Sequence, residues 1–207
     1  MKNRYVALLA DAARSRVLPG PRRAALQTSL RAALRAFNRR WKSVVAAGFA
    51  LTRGDEIEVL LAGPRPVWDI AHHLRHAFPD VDWVFGCGAG TIATPLAPTA
   101  PEVDGPCFHA ARAALDEAKR RHLVFAFQGF PRDADLNGFA AYYSALYWTW
   151  TGRQRRLALD LRSPDTPPPP TQGPQPLPSA LSHMRRRMAW PLVSAGDRIF
   201  RALLEAS

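Results

Sequence analysis

The chain has 207 residues, which suits one domain, or one domain with a small additional module. Hydrophobic residues make up 47% of it, which excludes a wholly disordered chain, and no apolar run approaches the ~20 residues that cross a bilayer. The two cysteines, Cys87 and Cys107, exclude a disulfide scaffold and a four-cysteine zinc site. The N-terminal segment lacks a convincing cleavage region for a signal peptide, so the sequence predicts a cytoplasmic protein.

The formal net charge is +11, from 28 Lys and Arg against 17 Asp and Glu. Such a balance favours a polyanionic partner, nucleic acid first. Only three of the basic residues are lysines, and the abundance of Arg, Ala and Pro is also what a GC-rich coding bias produces. The positions of the charges are therefore more informative than their total.

Apolar runs and helical spacing predict the elements of the first part of the chain in this order: a strand over 4–10, a helix over 22–41, strands over 44–51 and 57–61 joined by a tight turn at 53–55, a helix over 64–78 and a strand over 81–88. A proline-containing loop over 97–106, a helix over 108–121 and a strand over 123–127 follow. The first six elements match the ferredoxin-like β-α-β-β-α-β pattern, so the predicted fold class is α+β.

The composition changes after about residue 133. An aromatic helix over 133–151 is interpreted as a core helix that packs two regions together, in preference to a surface on which bases stack. The remaining predicted elements are a short basic helix over 152–161, a proline-rich insert over 163–178 that cannot be helical throughout, a basic helix over 179–190 and a segment over 191–206 that ends in a helix at 197–206. We therefore predict an α+β domain over 1–130 and a small all-α module over 131–207.

Two aspartates stand out by their placement. Asp11 ends the first strand and Asp55 lies at the turn of the central hairpin, and these two points are neighbours in a ferredoxin-like sheet. Two carboxylates there can share a Mg²⁺ ion, which prefers oxygen ligands and nucleotide phosphates. Glu56 and Asp104 are weaker candidates for the same patch. The structural alternative is that Asp11 caps the next helix and Asp55 closes a turn.

Two other motifs are interpreted as structural. His72 and His76 lie four residues apart on a helix, but no third ligand accompanies them, so a solvated helix face is preferred to a zinc site. The glycine-rich run at 86–90 lacks the lysine of a phosphate-binding loop. It is interpreted as a strand end that lets another backbone approach closely.

Four blocks together resemble the SatD family of small bacterial cytosolic proteins. They are ADAARSR at 10–16, GDE at 54–56, FGCGAG at 85–90 and DGPCFHAAR at 104–112, and the resemblance covers about residues 4–127. Such N-terminal regions are in turn similar to the catalytic palm of class III nucleotidyl cyclases and GGDEF-type cyclases.

The resemblance implies functional residues in this palm. It implies Mg²⁺ bound by Asp11 and Asp55, and a nucleoside triphosphate site formed by Ser15, Arg16, Glu56, Asp104 and Arg112. No set of residues that selects adenine or guanine is recognisable, and a palm that keeps both aspartates can bind a nucleotide without turning it over. Palm domains of this kind often work in pairs, so a homodimer is expected.

The resemblance also implies a C-terminal helix-turn-helix, here in degenerate form. Residues 151–161 match its first helix and residues 178–190 match its recognition helix, while the proline-rich insert replaces the usual middle helix. The residues available to contact double-stranded DNA are Ser179, Ser182, His183, Arg185, Arg186 and Arg187. The structural alternative is a solvated basic helix packed on the palm.

Three functions follow from these observations. The preferred one is a DNA-binding regulatory protein whose palm senses a nucleotide or metal, or mediates dimerisation. The second is a Mg²⁺-dependent nucleotidyl cyclase or transferase that uses Asp11 and Asp55. The third is an interaction module whose palm holds no ligand and whose aspartates are structural.

Overall fold

The computed structural model describes residues 4–13, 19–52, 54–163 and 177–207. Its strands are β1 (Tyr5–Ala12), β2 (Val45–Thr52), β3 (Glu56–Leu61), β4 (Trp83–Gly90) and β5 (Phe125–Gln128). Its helices are α1 (Gly20–Arg40), α2 (Val67–Ala77), α3 (Pro106–Arg120), α4 (Asp133–Thr149), α5 (Gly152–Arg162), α6 (Pro178–Arg187) and α7 (Trp190–Glu205), with a 3-10 turn at Ala100–Glu102. The predicted order of elements is confirmed, and the fold class is α+β.

The five strands form one mixed sheet in the order β2-β3-β1-β4-β5. β1 is central and pairs antiparallel with both β3 and β4, β2 pairs antiparallel with β3, and β5 runs parallel to β4. The chain therefore brings the C-terminal end of β1 beside the N-terminal end of β3, where Asp11 lies opposite Glu56.

The two faces of the sheet are covered by different helices. α1 and α2 pack on the face that carries Leu8 and Phe85, and α3 packs on the face that carries Leu9 and Val84. The connections β3-α2-β4 and β4-α3-β5 both join parallel strands and both step in the same direction across the sheet. Because α2 and α3 lie on opposite faces, these two crossovers have opposite hands. Such connections are nearly always right-handed. This exception puts α3 over the face on which Asp11 lies.

Glycines in β4 allow α3 to lie directly on the strand. A Cβ atom on Gly88 would be 2.1 Å from the backbone nitrogen of Ala111, and one on Gly86 would be 2.4 Å from the Ala111 carbonyl oxygen. The prediction that the glycine-rich run permits a close backbone approach is confirmed, and the approaching backbone is α3.

The C-terminal helices pack on the face of the sheet that carries Leu8 and Phe85, opposite to α3, and cover α2. Phe200 of α7 and Tyr143 of α4 join Trp68 of α2 and Phe125 of β5 in one aromatic cluster. Tyr143 and Tyr147 are buried, so the interpretation of α4 as a core helix is confirmed. No helix within the described ranges is long and apolar enough to pass through a lipid bilayer.

The expectation of a solvated face on α2 is wrong. His72, His76 and Arg75 are each exposed by no more than 3%, because α4 and α5 cover the side of α2 that faces away from the sheet. Arg75 donates to the Tyr143 hydroxyl at 2.7 Å, and that hydroxyl lies 3.2 Å from His72 Nε2. Burial, followed by the charges of Arg162 and Arg75, holds the pKa of His72 well below its ordinary 6.5, so the imidazole is neutral.

Candidate functional site

Three acidic side chains gather on the α3 face of the sheet, where β1 ends and β3 begins. Asp11 alternates with Ala7 and Leu9 along β1, and both of these apolar residues pack toward α3. Glu56 lies opposite Asp11 in the register, and Glu58 is the next residue of β3 on the same face. The structure therefore brings Asp11 and Glu56 together, as the sequence predicts, and adds Glu58.

Two basic residues of α3 meet these carboxylates. Arg112 donates to both Glu56 oxygens, at 2.5 and 2.6 Å, and to Glu58 Oε1 at 3.0 Å. Lys119 Nζ lies 2.9 Å from Asp11 Oδ1. Arg112 and Lys119 are seven residues apart, two helical turns, so both project from the same face of α3. The acidic cluster is thus held by an arginine and a lysine from one helix.

The pKa values of the two glutamates shift in opposite directions. Burial would raise the pKa of Glu56, but the hydrogen bonds and charge of Arg112 outweigh it and hold that pKa below its ordinary value. Burial and the neighbouring Glu56 carboxylate raise the pKa of Glu58. The hydrogen bond to Glu56 raises the pKa of Arg112, which therefore stays charged. Glu56 and Arg112 form the permanent ion pair of this site.

The donor set fits a magnesium ion poorly. Within the described part of the chain, no three His, Cys, Asp or Glu side chains converge as metal ligands. Asp11 is already paired with Lys119, and Asp55, which directly precedes β3, is only 5% exposed and makes contacts of its own. An ion bound by Asp11 would have to displace Lys119.

The other residues predicted for a nucleotide site are distributed differently. Asp104 precedes α3 and its carbonyl accepts from Ala93 N–H, beside the strand end at Gly90. Gly90 pairs with Tyr5, which is six residues, or about 20 Å, from Asp11 along β1, so Asp104 lies toward the opposite end of that strand from Asp11. Ser15 and Arg16 lie outside the described residues.

Sequence reasoning missed Glu58 and Lys119. The alternation of Glu56 and Glu58 in a short strand places both on one face, and this signal was available. Lys119 had no such signal, because only the placement of α3 over this face brings it to Asp11.

The predicted DNA-contacting residues lie on α6. One side of this helix, formed by Leu181 and Met184, packs toward the core, and Met188 just beyond its end is buried. Helical spacing puts Ser179, Ser182, His183 and Arg186 on the opposite side, with Arg185 and Arg187 flanking them, and all six are exposed. The helix ends at Arg187, and Trp190 begins α7 instead of closing a recognition helix.

The three arginines of α6, the α6 arginine cluster, are not neutralised by any residue that the structure describes. Arg185, Arg186 and Arg187 make no ion pair with any residue in the described ranges. They occupy the last turn of α6, where positive charge also stabilises the helix dipole. The arrangement presents three cationic side chains beside two exposed serines and one histidine.

A model of the SatD family matches residues 5–124 of the chain. The match spans more than half of the sequence, from the start of β1 to the residue before β5. It confirms the resemblance that the four sequence blocks predict. The helices α4 to α7 lie beyond the matched range. No curated protein is significantly similar to the chain.

Proposed function

The chain belongs to the SatD family, and from that premise we propose that it is a DNA-binding regulatory protein in which α6 contacts the duplex. The observation that carries the proposal is the α6 arginine cluster, which is exposed and has no acidic partner among the described residues. Arginines in such a position bind phosphates, and the neighbouring Ser182 and His183 offer hydrogen bonds to base edges. We propose that α5, α6 and α7 serve as the degenerate helix-turn-helix.

We further propose that β1 to β4 with α1 and α2 form a ferredoxin-like palm similar to that of nucleotidyl cyclases. The strand order β2-β3-β1-β4 supports this, since the two β-α-β connections interleave around the central β1. In a regulatory protein the palm senses a ligand or forms a homodimer, and a dimer matches the two-fold symmetry of many DNA sites. Sedimentation velocity would measure the oligomeric state directly.

The DNA proposal is tested by selection from a random duplex library. The wild-type protein should enrich one sequence, because serine, histidine and arginine on α6 discriminate between bases. The variant Arg185→Gln/Arg186→Gln/Arg187→Gln should enrich none. Circular dichroism checks that α6 stays folded, since glutamine keeps a good helix propensity. Equal enrichment by both proteins would rule out α6 as the DNA-reading helix.

A second candidate function is Mg²⁺-dependent nucleotidyl transfer at the acidic cluster. It is favoured by one observation, the pairing of Asp11 with the start of β3 directly after Asp55. The pairing of Asp11 with Lys119 weighs against it. Calorimetric titration with ATP and GTP, with and without Mg²⁺, tests it. Mg²⁺-dependent binding that Asp55→Asn abolishes would favour this function, and the absence of binding would leave the palm as a scaffold.

A further inference from the structure

The net charge of the chain is concentrated in one segment. Residues 12–54 contain ten Lys and Arg and no Asp or Glu. The rest of the chain holds the other 18 basic residues and all 17 acidic ones, so its net charge is +1. A coding bias toward arginine raises the number of basic residues everywhere, but it does not remove acidic residues from one segment. Six of these ten basic residues lie in α1.

α1 divides sharply into a buried side and a cationic side. Leu30, Leu34 and Phe37 are buried against the sheet. Arg31, Arg35 and Arg39 are exposed and follow one another at intervals of four residues, so they line up along the helix. We call these three arginines the α1 basic face.

Nothing in the described structure neutralises the α1 basic face. None of its arginines is paired with a carboxylate of any described residue. Arginines at i and i+4 repel one another by about 0.2–0.5 kcal/mol per pair, so the arrangement works against the stability of the helix. A feature that opposes stability and is repeated along one face points to an external anion.

α1 is fixed in place and open to close approach. The Asn38 side chain donates to the Phe49 carbonyl at 3.0 Å and accepts from the Phe49 N–H at 2.7 Å, which fastens α1 to β2. The exposed uncharged residues of α1 from position 24 onward are all small, and they are Ala24, Ala25, Thr28, Ser29, Ala32 and Ala36. The guanidinium groups therefore extend beyond a low surface and reach a ligand first.

We propose that the α1 basic face binds the sugar-phosphate backbone of a nucleic-acid duplex, without reading its sequence. Successive arginines are about 6 Å apart along the helix axis, at 1.5 Å per residue. Phosphates of one DNA strand advance by about 3.4 Å, so every second phosphate matches one arginine. Arginine is also the side chain that binds a phosphate through two parallel hydrogen bonds.

An anionic membrane fits this surface less well. A helix that binds a bilayer buries an apolar face in it, with Trp, Phe or Leu at the lipid boundary. The apolar face of α1 is buried against the sheet, and its exposed uncharged residues are only Gly, Pro, Ala, Ser and Thr. The surface offers charge without an apolar anchor, which is what a polyphosphate backbone requires.

The inference goes beyond the proposed function and does not depend on α6. Three variants of the full chain separate the two. The α1 variant is Arg31→Gln/Arg35→Gln/Arg39→Gln, and the α6 variant carries glutamine at 185, 186 and 187. The control is Arg65→Gln/Arg121→Gln/Arg132→Gln, whose three positions are exposed. Each lowers the formal net charge from +11 to +8, so only the position of the lost charge differs.

Affinity for a fluorescently labelled DNA duplex of mixed sequence is measured by anisotropy across a series of salt concentrations. The α1 variant should lose three phosphate contacts, so the negative slope of log affinity against log salt should become shallower by about 2.7. At about 0.1 M salt its affinity should be roughly a hundredfold lower. The control should bind as the wild type does.

The other outcomes are equally decisive. A control that loses as much affinity as the α1 variant would mean that net charge alone governs binding, and the inference would fail. It would also fail if the α1 variant kept full affinity, or if the wild type bound phosphatidylglycerol vesicles and no duplex. Loss of affinity in the α1 variant with unchanged sequence selection in the α6 variant would support α1 and refute the α6 proposal.

Discussion

Four arginines of α5 and α7 pair with carboxylates, whereas the arginines of α1 pair with none among the described residues, although all three helices bury one side in the core. Arg155, Arg156 and Arg162 of α5 and Arg201 of α7 pair with the acidic side chains of Asp82, Asp80, Asp197 and Asp69, at 3.3, 2.8, 2.7 and 2.7 Å. These pairs join the C-terminal helices to one another and to the α2 side of the sheet. The arginines of α1 face no carboxylate in the described structure.

The difference shows why the total charge of a chain is a weak guide to function. An arginine that meets a buried or neighbouring carboxylate serves the fold, and its charge is cancelled locally. An arginine whose helix contains no acidic residue, and whose neighbours across the interface supply none, leaves its charge to the solvent or to a ligand. The comparison makes two opposite predictions. Removing the charge of an ion-paired residue should lower the free energy of unfolding, and removing the charge of an α1 arginine should not.

The largest effect is expected at the buried pair of Arg162 and Asp197. Both side chains are less than a tenth exposed, and they are joined by two hydrogen bonds at 2.7 and 2.9 Å. Asp197→Ala leaves the guanidinium buried without a counter-charge, so the free energy of unfolding should fall by about 3–5 kcal/mol in urea denaturation.

The double variant Arg162→Met/Asp197→Leu is the matched control for that pair. It removes both charges and keeps apolar volume next to Trp68 and Trp190, whose rings Arg162 covers. Its free energy of unfolding should fall clearly less than that of the Asp197→Ala variant. An equal loss in both variants would mean that packing, and not the unpaired charge, dominates at this position.

A second effect follows from the neutral His72 beside these arginines. Above pH 6.5 both the folded and the unfolded protein hold this imidazole neutral, so it contributes nothing there. Below pH 6.5 the unfolded chain takes up a proton that the folded protein refuses, because the pKa of His72 is lowered by burial and by Arg162 and Arg75. Stability should then fall by up to about 1.4 kcal/mol per pH unit.

Urea denaturation at pH values on both sides of 6.5 measures this slope. In His72→Gln the slope should be shallower, since the titrating group is gone. Some slope should remain, because burial and the charge of Arg40 also lower the pKa of His73. A variant with the full wild-type slope would show that other groups carry the acid sensitivity.

A smaller effect is expected at the exposed pair of Arg156 and Asp80. The Asp80 side chain is 90% exposed, so water screens the interaction. Asp80→Asn should change the free energy of unfolding by no more than about 1 kcal/mol, and added salt should reduce even that difference. A loss comparable to that of Asp197→Ala would contradict the view that burial sets the value of these pairs.

The order of the elements was predictable from the sequence, because strands and helices here differ clearly in length and apolar spacing. The face covered by α3 was not, since periodicity shows that a helix has an apolar side and does not show which side of the sheet it meets. For the same reason Lys119 was not connected to Asp11. The prediction that His72 and His76 lie on a solvated helix face was wrong because α4 and α5, which are distant in sequence, cover the side of α2 that faces away from the sheet. The absence of acidic residues over 12–54 was visible from the start, and only the structure showed that six of its ten basic residues lie on one helix without an ion pair to any described residue.

A change that raises stability gives the sharpest test of the comparison. Arg35→Glu replaces two repulsive i,i+4 contacts of α1, to Arg31 and Arg39, by two attractive ones. Each repulsion lost and each attraction gained is worth about 0.2–0.5 kcal/mol, so the free energy of unfolding should rise by about 0.8–2 kcal/mol. The same change places a negative charge at the centre of the α1 basic face, so duplex affinity should fall further than in a single Arg35→Gln variant. Thermal unfolding and anisotropy on the same samples check both expectations. A protein that is more stable and binds the duplex less tightly would show that these arginines serve a ligand at the expense of the fold, whereas a destabilised one would place Arg35 with the structural arginines of α5 and α7.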